Sequence, residues 1–492
     1  MAMIKVDHLT FSYPGSYDAV FEDVSFQIDT DWKLGFIGRN GRGKTTFLQL
    51  LLGNYAYSGR IEAPVRFDYF PYSVEDPTAC TRDVLEAICP QAAAWELERE
   101  LGFLQVESAV LLQPFYTLSN GEQTKALLSA LFLNEGHFLL IDEPTNHLDR
   151  AARKLVASYL KRKKGFILVS HDRAFLDGCV DHILSINRTD IEVQSGNFSS
   201  WMENFERQQS FEQVQNERLK KDMARLKEAA RRSEAWSYKA ETAKKGVTSA
   251  GLKPDKGYVG HKAAKVMKRA KATEARQQQA AAEKATLLQN AETAASLKLS
   301  PLLFHADRLA AFRDVTVCYG TREICSHTSF EVTQGARIAL EGKNGSGKSS
   351  LLKLILGEAI PHTGTVSVAS GLMISYVPQD TSGLCGLLSD YAKERQIDES
   401  LLKAILRKMD FSRVQFEKDM ADFSGGQKKK VLIAGSLCQR AHLYIWDEPL
   451  NFIDVYSRMQ IEALLQSFSP TMLFVEHDRV FQQNIATQTV VL

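Results

Sequence analysis

Short apolar runs alternate with amphipathic segments in two stretches of the 492-residue chain, one toward each end. Residues 34–37 and 138–141 are such runs in the first stretch, and residues 338–340 and 443–446 in the second. Runs of this length beside glycine-rich loops are typical of strands that helices cover on both faces. The pattern therefore predicts two α/β domains, each built on a parallel sheet.

The middle of the chain follows a helical pattern instead. Residues 203–238 and 261–297 are rich in Ala, Glu, Lys, Arg and Gln, which are strong helix formers. Two such helices would each span about 50 Å and must run antiparallel, because another α/β stretch follows. The segment between them contains four glycines and a proline, which interrupt any helix. We predict domains at 1–202 and 303–492, joined by a helical linker at 203–302 with an extended tip at about 239–260.

The composition argues against a protein that crosses a membrane by itself. No apolar run approaches the ~20 residues of a spanning helix, and the first residues lead into a strand pattern without a signal peptide. We therefore expect a cytoplasmic protein. The net charge is only +1, yet residues 205–285 contain 20 Lys or Arg against 10 Asp or Glu. Such an excess indicates that the linker meets an anion.

A glycine-rich motif of the form GxxxxGK[ST] follows a predicted strand in each domain, as GRNGRGKT at 38–45 and GKNGSGKS at 342–349. Such a loop wraps backbone N–H groups around phosphates, its lysine reaches the β- and γ-phosphates, and its hydroxyl residue binds Mg²⁺. The sequence therefore predicts two sites for ATP and Mg²⁺. The residues expected on the nucleotide are Gly38, Asn40, Gly41, Gly43, Lys44, Thr45 and Thr46 in the first loop and Gly342, Asn344, Gly345, Gly347, Lys348, Ser349 and Ser350 in the second, with Thr45 and Ser349 also on the metal.

An acidic strand end follows each loop at nearly the same distance, which is 99 residues from Lys44 to Glu143 and 100 from Lys348 to Glu448. The preceding aspartates, Asp142 and Asp447, are expected to hold Mg²⁺ directly or through water. The glutamates themselves stand where they can orient or deprotonate an attacking water. Each domain is therefore predicted to hydrolyse a nucleotide.

Between the loop lysine and the acidic strand, each domain also has a serine followed by glycine at a predicted helix start. The segments read LSNGEQ at 118–123 and FSGGQK at 423–428. A hydroxyl, bare N–H groups and the positive end of a helix dipole together suit an anion, although alone they make only a good helix cap. The candidate residues are Ser119 and Gly121 in the first segment and Ser424, Gly425 and Gly426 in the second.

The order of phosphate loop, SGGQ-like signature, acidic strand and histidine resembles the ATP-binding cassette ATPases. The phrase IDEPTNHLD at 141–149 resembles the ABC-F subfamily, which are soluble twin-cassette proteins that bind ribosomes. The resemblance implies a head-to-tail sandwich in which each ATP lies between one cassette's phosphate loop and the other's signature. Site one would combine Lys44 with Ser424 and Gly426, and site two would combine Lys348 with Ser119 and Gly121.

The resemblance also assigns two further pairs of positions and one single residue. His171 and His477 match the switch histidine that contacts the γ-phosphate, and Tyr13 and Tyr319 match the aromatic residue that stacks on adenine. Gln379 matches the Q-loop glutamine, which joins the Mg²⁺ shell.

Two positions depart from the family pattern. Tyr72 occupies the Q-loop position of the first cassette, and Asn120 replaces the usual glycine of the first signature. Each site therefore has one irregular residue, and the sequence does not rank their activities.

The linker resembles the interdomain linker of ABC-F proteins, which enters the tRNA exit region of the ribosome and points its tip toward the peptidyl-transferase centre. Residues 236–276 contain 11 Lys or Arg against 3 Asp or Glu, a composition suited to phosphate contact and base stacking. The implied partner is the 70S ribosome with its 23S rRNA and P-site tRNA, bound by a monomer that supplies both cassettes. The candidate RNA-contact residues are Trp236, Tyr258, Lys262, Lys265, Lys268 and Arg269.

A long tip, the motif DEPLN in the second cassette and the absence of room for an inserted arm resemble the Lsa/Vga-type antibiotic-resistance ABC-F proteins. That group is implied to protect the ribosome against lincosamides, pleuromutilins and streptogramin A. Two alternatives stay open. One is a housekeeping translation factor of the same subfamily that acts on stalled ribosomes, and the other is the cytosolic ATPase subunit of a transporter.

Overall fold

The structure is a computed structural model that describes residues 2–14, 19–134, 136–146, 148–186, 191–208, 298–320 and 322–492, with some positions of 210–228. The chain divides into two compact units. One contains Met1–Trp201 together with Ala295–Leu492, and the other is Met202–Ala294. The described residues of the second unit are helical. The predicted linker tip at about 239–260 lies outside the described residues.

The first cassette contains a six-stranded sheet in the order β5-β6-β7-β3-β8-β9, in which only β9 runs antiparallel to its neighbour. A second, three-stranded antiparallel sheet has the order β2-β1-β4. The strands are β1 Met3–Phe11, β2 Phe21–Asp29, β3 Lys33–Gly38, β4 Ser58–Glu62, β5 Arg66–Phe70, β6 His137–Asp142, β7 Phe166–Val169, β8 His182–Ile186 and β9 Ile191–Ser195. The helices are α1 Lys44–Leu51, α2 Thr81–Ile88, α3 Ala94–Phe103, α4 Asn120–Leu131, α5 Arg150–Lys161 and α6 Arg173–Cys179.

The second cassette repeats this plan with a five-stranded parallel sheet in the order β14-β15-β16-β12-β17 and an antiparallel sheet in the order β11-β10-β13. The strands are β10 Arg308–Tyr319, β11 Arg322–Thr333, β12 Arg337–Glu341, β13 His362–Val368, β14 Ile374–Val377, β15 Leu443–Asp447, β16 Met472–Val475 and β17 Gln488–Val491. The helices are α7 Lys348–Ile355, α8 Leu388–Glu394, α9 Glu399–Lys408, α10 Gly425–Cys438, α11 Val455–Phe468 and α12 Arg479–Ile485.

The central strands of both parallel sheets are buried on both faces, which is why they read as continuous apolar runs. All five residues of β15 are buried, and so are all four residues of β7 and of β16. The prediction of an α/β protein with two tandem domains is confirmed.

The fold brings the predicted chemistry to the carboxyl ends of these parallel strands. In each cassette the phosphate loop follows a central strand, and α1 and α7 begin at the loop lysines. Gly43 precedes α1 with a left-handed φ of 93°, and a Cβ atom there would lie 2.5 Å from Val20. Gly347 precedes α7 with a φ of 88°. Glycine is needed at both positions because the backbone is left-handed and, at Gly43, the space is filled.

Candidate active sites

A cavity of about 1020 Å³ lies between the phosphate loop of the second cassette and the signature of the first. The fold therefore joins motifs that lie more than two hundred residues apart in the sequence. The predicted residues that line this cavity are Ser119, Gly121, Tyr319, Asn344, Gly345, Gly347, Lys348, Ser349, Ser350, Gln379, Glu448 and His477. The structure therefore brings these residues of the two cassettes together around one cavity, at the position of predicted site two.

The metal-ligand candidates of this site include a buried oxygen that lacks a partner. Asp447 ends β15 with 1% of its surface exposed, and its Oδ1 atom has no hydrogen-bond partner among the residues that the structure describes. Burial raises the pKa of the Asp447 carboxyl, and a hydrogen bond from Ser349 lowers it in part. A hard divalent cation prefers such oxygen ligands, so Asp447 and Ser349 fit Mg²⁺.

Glu448 follows Asp447 and is held by three neighbours. Its carboxylate accepts hydrogen bonds from Gln379 Nε2 at 2.9 Å and Asn451 Nδ2 at 2.7 Å, and His477 Nε2 lies 3.4 Å from Oε1. Burial by itself raises the pKa of Glu448, but the contacts with His477, Gln379 and Asn451 bring the pKa below its ordinary value. The carboxylate is therefore ionised at neutral pH and able to accept a proton from water.

The corresponding glutamate of the first cassette has a different environment. Among the described side chains, His171 is the ion-pair neighbour of Glu143, with Nε2 3.4 Å from Oε1. Burial and the nearby Asp142 raise the pKa of Glu143 to about 8. The pKa of His171 is well below its ordinary value, because that imidazole is buried and faces the charge of Lys44.

Glu143 and Glu448 share a left-handed backbone, with φ values of 50° and 46°. Such strained geometry is concentrated at functional sites.

The first phosphate loop, which belongs to predicted site one, directly contacts the second cassette. Asn40 Nδ2 donates a hydrogen bond to the carbonyl oxygen of Phe452 at 2.6 Å. A Cβ atom on Gly426 would lie 2.5 Å from that oxygen and 2.7 Å from Asn40 Nδ2. Ser424 precedes α10, the helix that contains Gly426, and its hydroxyl caps this helix by accepting a hydrogen bond from Gln427 N at 3.4 Å. The signature glycine and the phosphate loop are therefore packed against each other.

The remaining site-one candidates cluster around the end of β6. Thr45 Oγ1 donates to Asp142 Oδ2 at 2.8 Å, and the hydroxyl of Tyr69 donates to the same oxygen at 3.1 Å. Lys44 is buried and donates to the carbonyl oxygens of Gly38 at 2.8 Å and Arg39 at 3.2 Å. Tyr69 was not among the residues predicted from the sequence, although the same position in the second cassette is also a tyrosine.

The two tyrosines expected beside adenine lie next to the loops. Tyr13 makes a hydroxyl–hydroxyl hydrogen bond of 2.6 Å with Thr46, and Tyr319 makes one of 3.1 Å with Ser350. Tyr13 is 40% and Tyr319 is 50% exposed, so both rings have surface available for a base.

The two irregular residues lie at the sites as well. Tyr72 is 40% exposed and lines a cavity of about 760 Å³ that also contains Thr45, Asp142 and Glu143. Asn120 lines this cavity and the larger one of site two. The RNA-contact candidates Trp236, Tyr258, Lys262, Lys265, Lys268 and Arg269 lie outside the described residues.

Ion pairs across the cassette interface were not expected from the sequence, and two of them lie beside the ATP sites. Arg42 in the first phosphate loop lies with Nη2 3.1 Å from Asp410 Oδ2 of the second cassette. Arg150 at the start of α5 forms an ion pair with Glu341 at the end of β12. Arg42 lies in the loop of site one, and Arg150 follows Asp149, which lines the cavity of site two.

The second cassette also contains a buried lysine, Lys429, that was not expected from the sequence. The corresponding residue of the first cassette is Thr124.

The family model described as "ABC transporter" matches residues 21–146 and 325–451. "Ribosome protection protein VmlR" of Bacillus subtilis is 29% identical over 502 residues, which cover 98% of this chain and 85% of VmlR. "Energy-dependent translational throttle protein EttA" of Haemophilus influenzae is 24% identical, covering 95% of this chain and 88% of EttA.

Among solved structures, the archaeal ribosome recycling factor aABCE1 in complex with the ribosomal stalk protein aP1 is similar in fold. The TM-score is 0.62 at 18% sequence identity, covering 95% of this chain and 85% of that chain. Among the described helices, none is both long enough and apolar enough to cross a membrane.

Proposed function

The chain belongs to the ABC transporter family, as an ATPase of the ABC-F subfamily, and from this premise we propose that it protects the ribosome against antibiotics that act at the peptidyl-transferase centre. The drug classes are lincosamides, pleuromutilins and streptogramin A. The composite cavity of site two carries the ATPase part of the proposal, because a single chain supplies both halves of an ATP site. The 29% identity to a relative named as a ribosome protection protein, over 98% of this chain, supports the ribosome as the partner.

The chain's own residues divide the work of ATP hydrolysis in site two. Lys348 and the loop N–H groups hold the phosphates, and the signature residues Ser119 and Gly121 face them across the cavity. Glu448 accepts the proton of the attacking water, and Gln379 and His477 hold its carboxylate in place.

When bound, Mg²⁺ would supply positive charge that offsets the negative charge of the transferred phosphoryl group. Ser349, Asp447 and Gln379 would hold Mg²⁺ in site two, and Thr45 and Asp142 would hold it in site one. In site one, Lys44 would bind the phosphates opposite Ser424 and Gly426. His171 and His477 would contact the γ-phosphate of their own sites, and Tyr13 and Tyr319 would stack on the adenines.

ATP binding would hold the two cassettes together and so fix the ends of the linker. In that state the linker would enter the tRNA exit site of the 70S ribosome and contact 23S rRNA through its basic residues. The tip would move the end of the P-site tRNA and the surrounding RNA, so that the drug loses affinity without direct contact. A change of 1.4 kcal/mol in drug binding would already be about tenfold. The protein would act in the cytoplasm as a monomer.

Drug-susceptibility titration in a sensitive host tests this proposal. Wild type should protect against lincosamides and pleuromutilins, and a variant with about ten residues removed from the tip at 239–260 should not protect while it still binds ribosomes in ATP. If wild type protects against none of these drugs but pellets with ribosomes, the chain is a housekeeping translation factor. The 24% identity to EttA supports the housekeeping translation factor as the second candidate function. Co-purification with membranes instead of ribosomes would identify a transporter subunit.

Ribosome pelleting tests the role of the linker charge. Binding in ATP should weaken as salt rises, because phosphate contacts release counterions. Alanine at Lys262, Lys265, Lys268 and Arg269 should weaken pelleting and leave ribosome-free ATPase activity intact. Pelleting that responds neither to salt nor to these substitutions would refute the role of the linker charge.

A further inference from the structure

The first cassette has a second concentration of positive charge, far from the linker in sequence. Four consecutive basic residues, at 161–164, end α5 and begin the loop to β7. Lys161, Arg162 and Lys164 are exposed. Together with Arg99 and the exposed aromatic residues Trp95 and Phe103 of α3, they form a surface that we call the basic corner.

A buried ion pair fixes the position of this segment. Glu100 of α3 accepts hydrogen bonds from Lys163 Nζ at 2.6 Å and from the Tyr159 hydroxyl at 2.7 Å. The carboxylate is only 4% exposed and also lies 3.5 Å from Arg99 Nη2, so Lys163 and Arg99 share its charge, and Lys161, Arg162 and Lys164 have no contact with it. The pair ties the end of α5 to α3 and leaves Lys161, Arg162 and Lys164 facing solvent.

The cations of the basic corner lie beside exposed aromatic rings. The guanidinium of Arg162 lies 5.5 Å from the ring centre of Phe103, and that of Arg99 lies 5.1 Å from the ring centre of Trp95. Phe103 is 44% and Trp95 is 61% exposed. Planar guanidinium groups and aromatic faces stack on bases, and the same cations bind phosphates, so the combination suits RNA.

The second cassette provides an internal comparison. Asp149 and Asp454 cap the equivalent helices α5 and α11, so residues 161–164 correspond to Gln466, Ser467, Phe468 and Ser469. The second cassette therefore has the same fold and its own ATP motifs with no basic residue at this position. Neither folding nor nucleotide chemistry requires the basic corner.

The corner is also distant from the nucleotide. Asp149, at the start of α5, lines the cavity of site two, and the 12 residues of the helix extend away from it for about 18 Å. A large ligand at the far end of α5 would leave the cavity accessible. Substitutions at the corner can therefore be separated from effects on ATP hydrolysis.

We propose that the basic corner binds the phosphate backbone of duplex RNA, which gives the first cassette an RNA contact of its own in addition to the linker. The inference rests on the proposed function, since ribosomal RNA is the RNA that a ribosome-binding protein would meet. The corner presents exposed cations at Lys161, Arg162 and Lys164, and the aromatic rings would pack against the exposed sugar edges of the same helix.

Fluorescence anisotropy of the full-length protein with a labelled RNA duplex of about 20 base pairs tests the proposal. Glutamine at Lys161, Arg162 and Lys164 should weaken binding at least tenfold at moderate salt. It should also lower the slope of log affinity against log salt by about two to three, close to one per lost phosphate contact. The matched control replaces two lysines and one arginine that are exposed on the second cassette, Lys393, Arg413 and Lys418, and should bind within about twofold of wild type. Unchanged ribosome-free ATPase activity and thermal midpoint show that both variants fold.

Ribosome pelleting in parallel separates this inference from the proposed function. An unchanged affinity and salt slope in the corner variant overturns the inference, whether or not wild type pellets with ribosomes. Reduced pelleting with unchanged RNA binding also overturns it, because the corner would then contact a ribosomal protein. A reduced salt slope supports the RNA surface. If the salt slope is reduced in the variant but wild type does not pellet with ribosomes, the RNA surface is supported and only the proposed function is refuted.

Discussion

The guanidinium of Arg173 in the first cassette is held by the carboxylate of Glu462 in the second. Arg173 Nη1 lies 3.3 Å from Glu462 Oε2, Nη2 contacts Oε1, and Nη2 also lies 3.5 Å from Asp478 Oδ2. Arg173 follows His171 by two residues, and Asp478 follows His477 directly. The contact between Arg173 and Asp478 therefore links the two segments that contain these histidines. The helix position in the first cassette that corresponds to Glu462 is Ala157, so the link has no symmetric copy.

Removing Glu462 should destabilise the protein strongly. The Arg173 and Glu462 side chains are 9% and 8% exposed, so Glu462→Ala leaves Arg173 short of one buried anionic partner, and we expect a loss of about 3 to 5 kcal/mol in the free energy of unfolding. Urea denaturation measures this loss. As a control, Glu203→Ala removes the partner of the exposed Arg207 and should leave the unfolding midpoint nearly unchanged. Equal midpoints for the two variants would show that the interface does not depend on this pair.

The two signature glycines of the second cassette should differ in their tolerance of alanine. A Cβ atom on Gly426 would lie 2.5 Å from the Phe452 carbonyl oxygen, whereas one on Gly425 would approach the Phe452 ring no closer than 3.6 Å. Gly426→Ala must therefore move Asn40 and Phe452 apart, and we expect ATP turnover at site one to fall at least about tenfold. Gly425→Ala should stay within about twofold of wild type. Steady-state ATPase rates in the Glu448→Gln background, where turnover depends on site one, measure this difference, and equal rates for the two glycine variants would contradict the packing of site one.

Sequence reasoning succeeded where a motif is repeated and local. The α/β class follows from apolar runs such as β15, and the positions of Lys348 and Glu448 follow from the fixed geometry of a loop between a strand and a helix. It could not find Glu462 or Asp410, because their partners lie in the other cassette and neither contact is duplicated. The relation between Ser119 and Lys348 came only from resemblance to a family, since nothing local in either segment specifies the other.

The buried Lys429 should make stability depend on pH in the alkaline range. Its Nζ donates to the Pro378 carbonyl oxygen at 2.9 Å, and burial lowers its pKa to about 8. Between about pH 8 and about pH 10 the unfolded chain therefore holds a proton that the folded chain has released, so stability rises with pH across this window, by up to about 3 kcal/mol. Lys429→Met should lack this rise. Urea midpoints across the window test it, and parallel curves for wild type and variant would show that Lys429 does not titrate there.

The two candidate catalytic glutamates should give different pH profiles. Glutamine at both Glu143 and Glu448 should preserve ATP binding and reduce turnover by about a hundredfold or more, because no general base remains. In Glu448→Gln the remaining turnover depends on Glu143, whose pKa burial and Asp142 raise to about 8. A base works only when deprotonated, so this turnover should increase as the pH rises through 8. In Glu143→Gln the turnover depends on Glu448, whose pKa lies below its ordinary value, and the rate should be flat from about pH 6 upward.

ATPase assays of the two single variants from about pH 6 to about pH 9 separate the sites, with the double variant as the background. Tyr72 stands in site one where Gln379 stands in site two, and Gln379 is one of the groups that hold Glu448 ionised. Gln379→Ala in the Glu143→Gln background should therefore shift the onset of activity toward higher pH, because Glu448 loses a hydrogen bond that favours its charged form. Tyr72→Ala in the Glu448→Gln background is the matched change and should not move the profile of site one. Superimposable profiles for the two single variants would show that the glutamates work in equivalent environments, against the difference in their contacts.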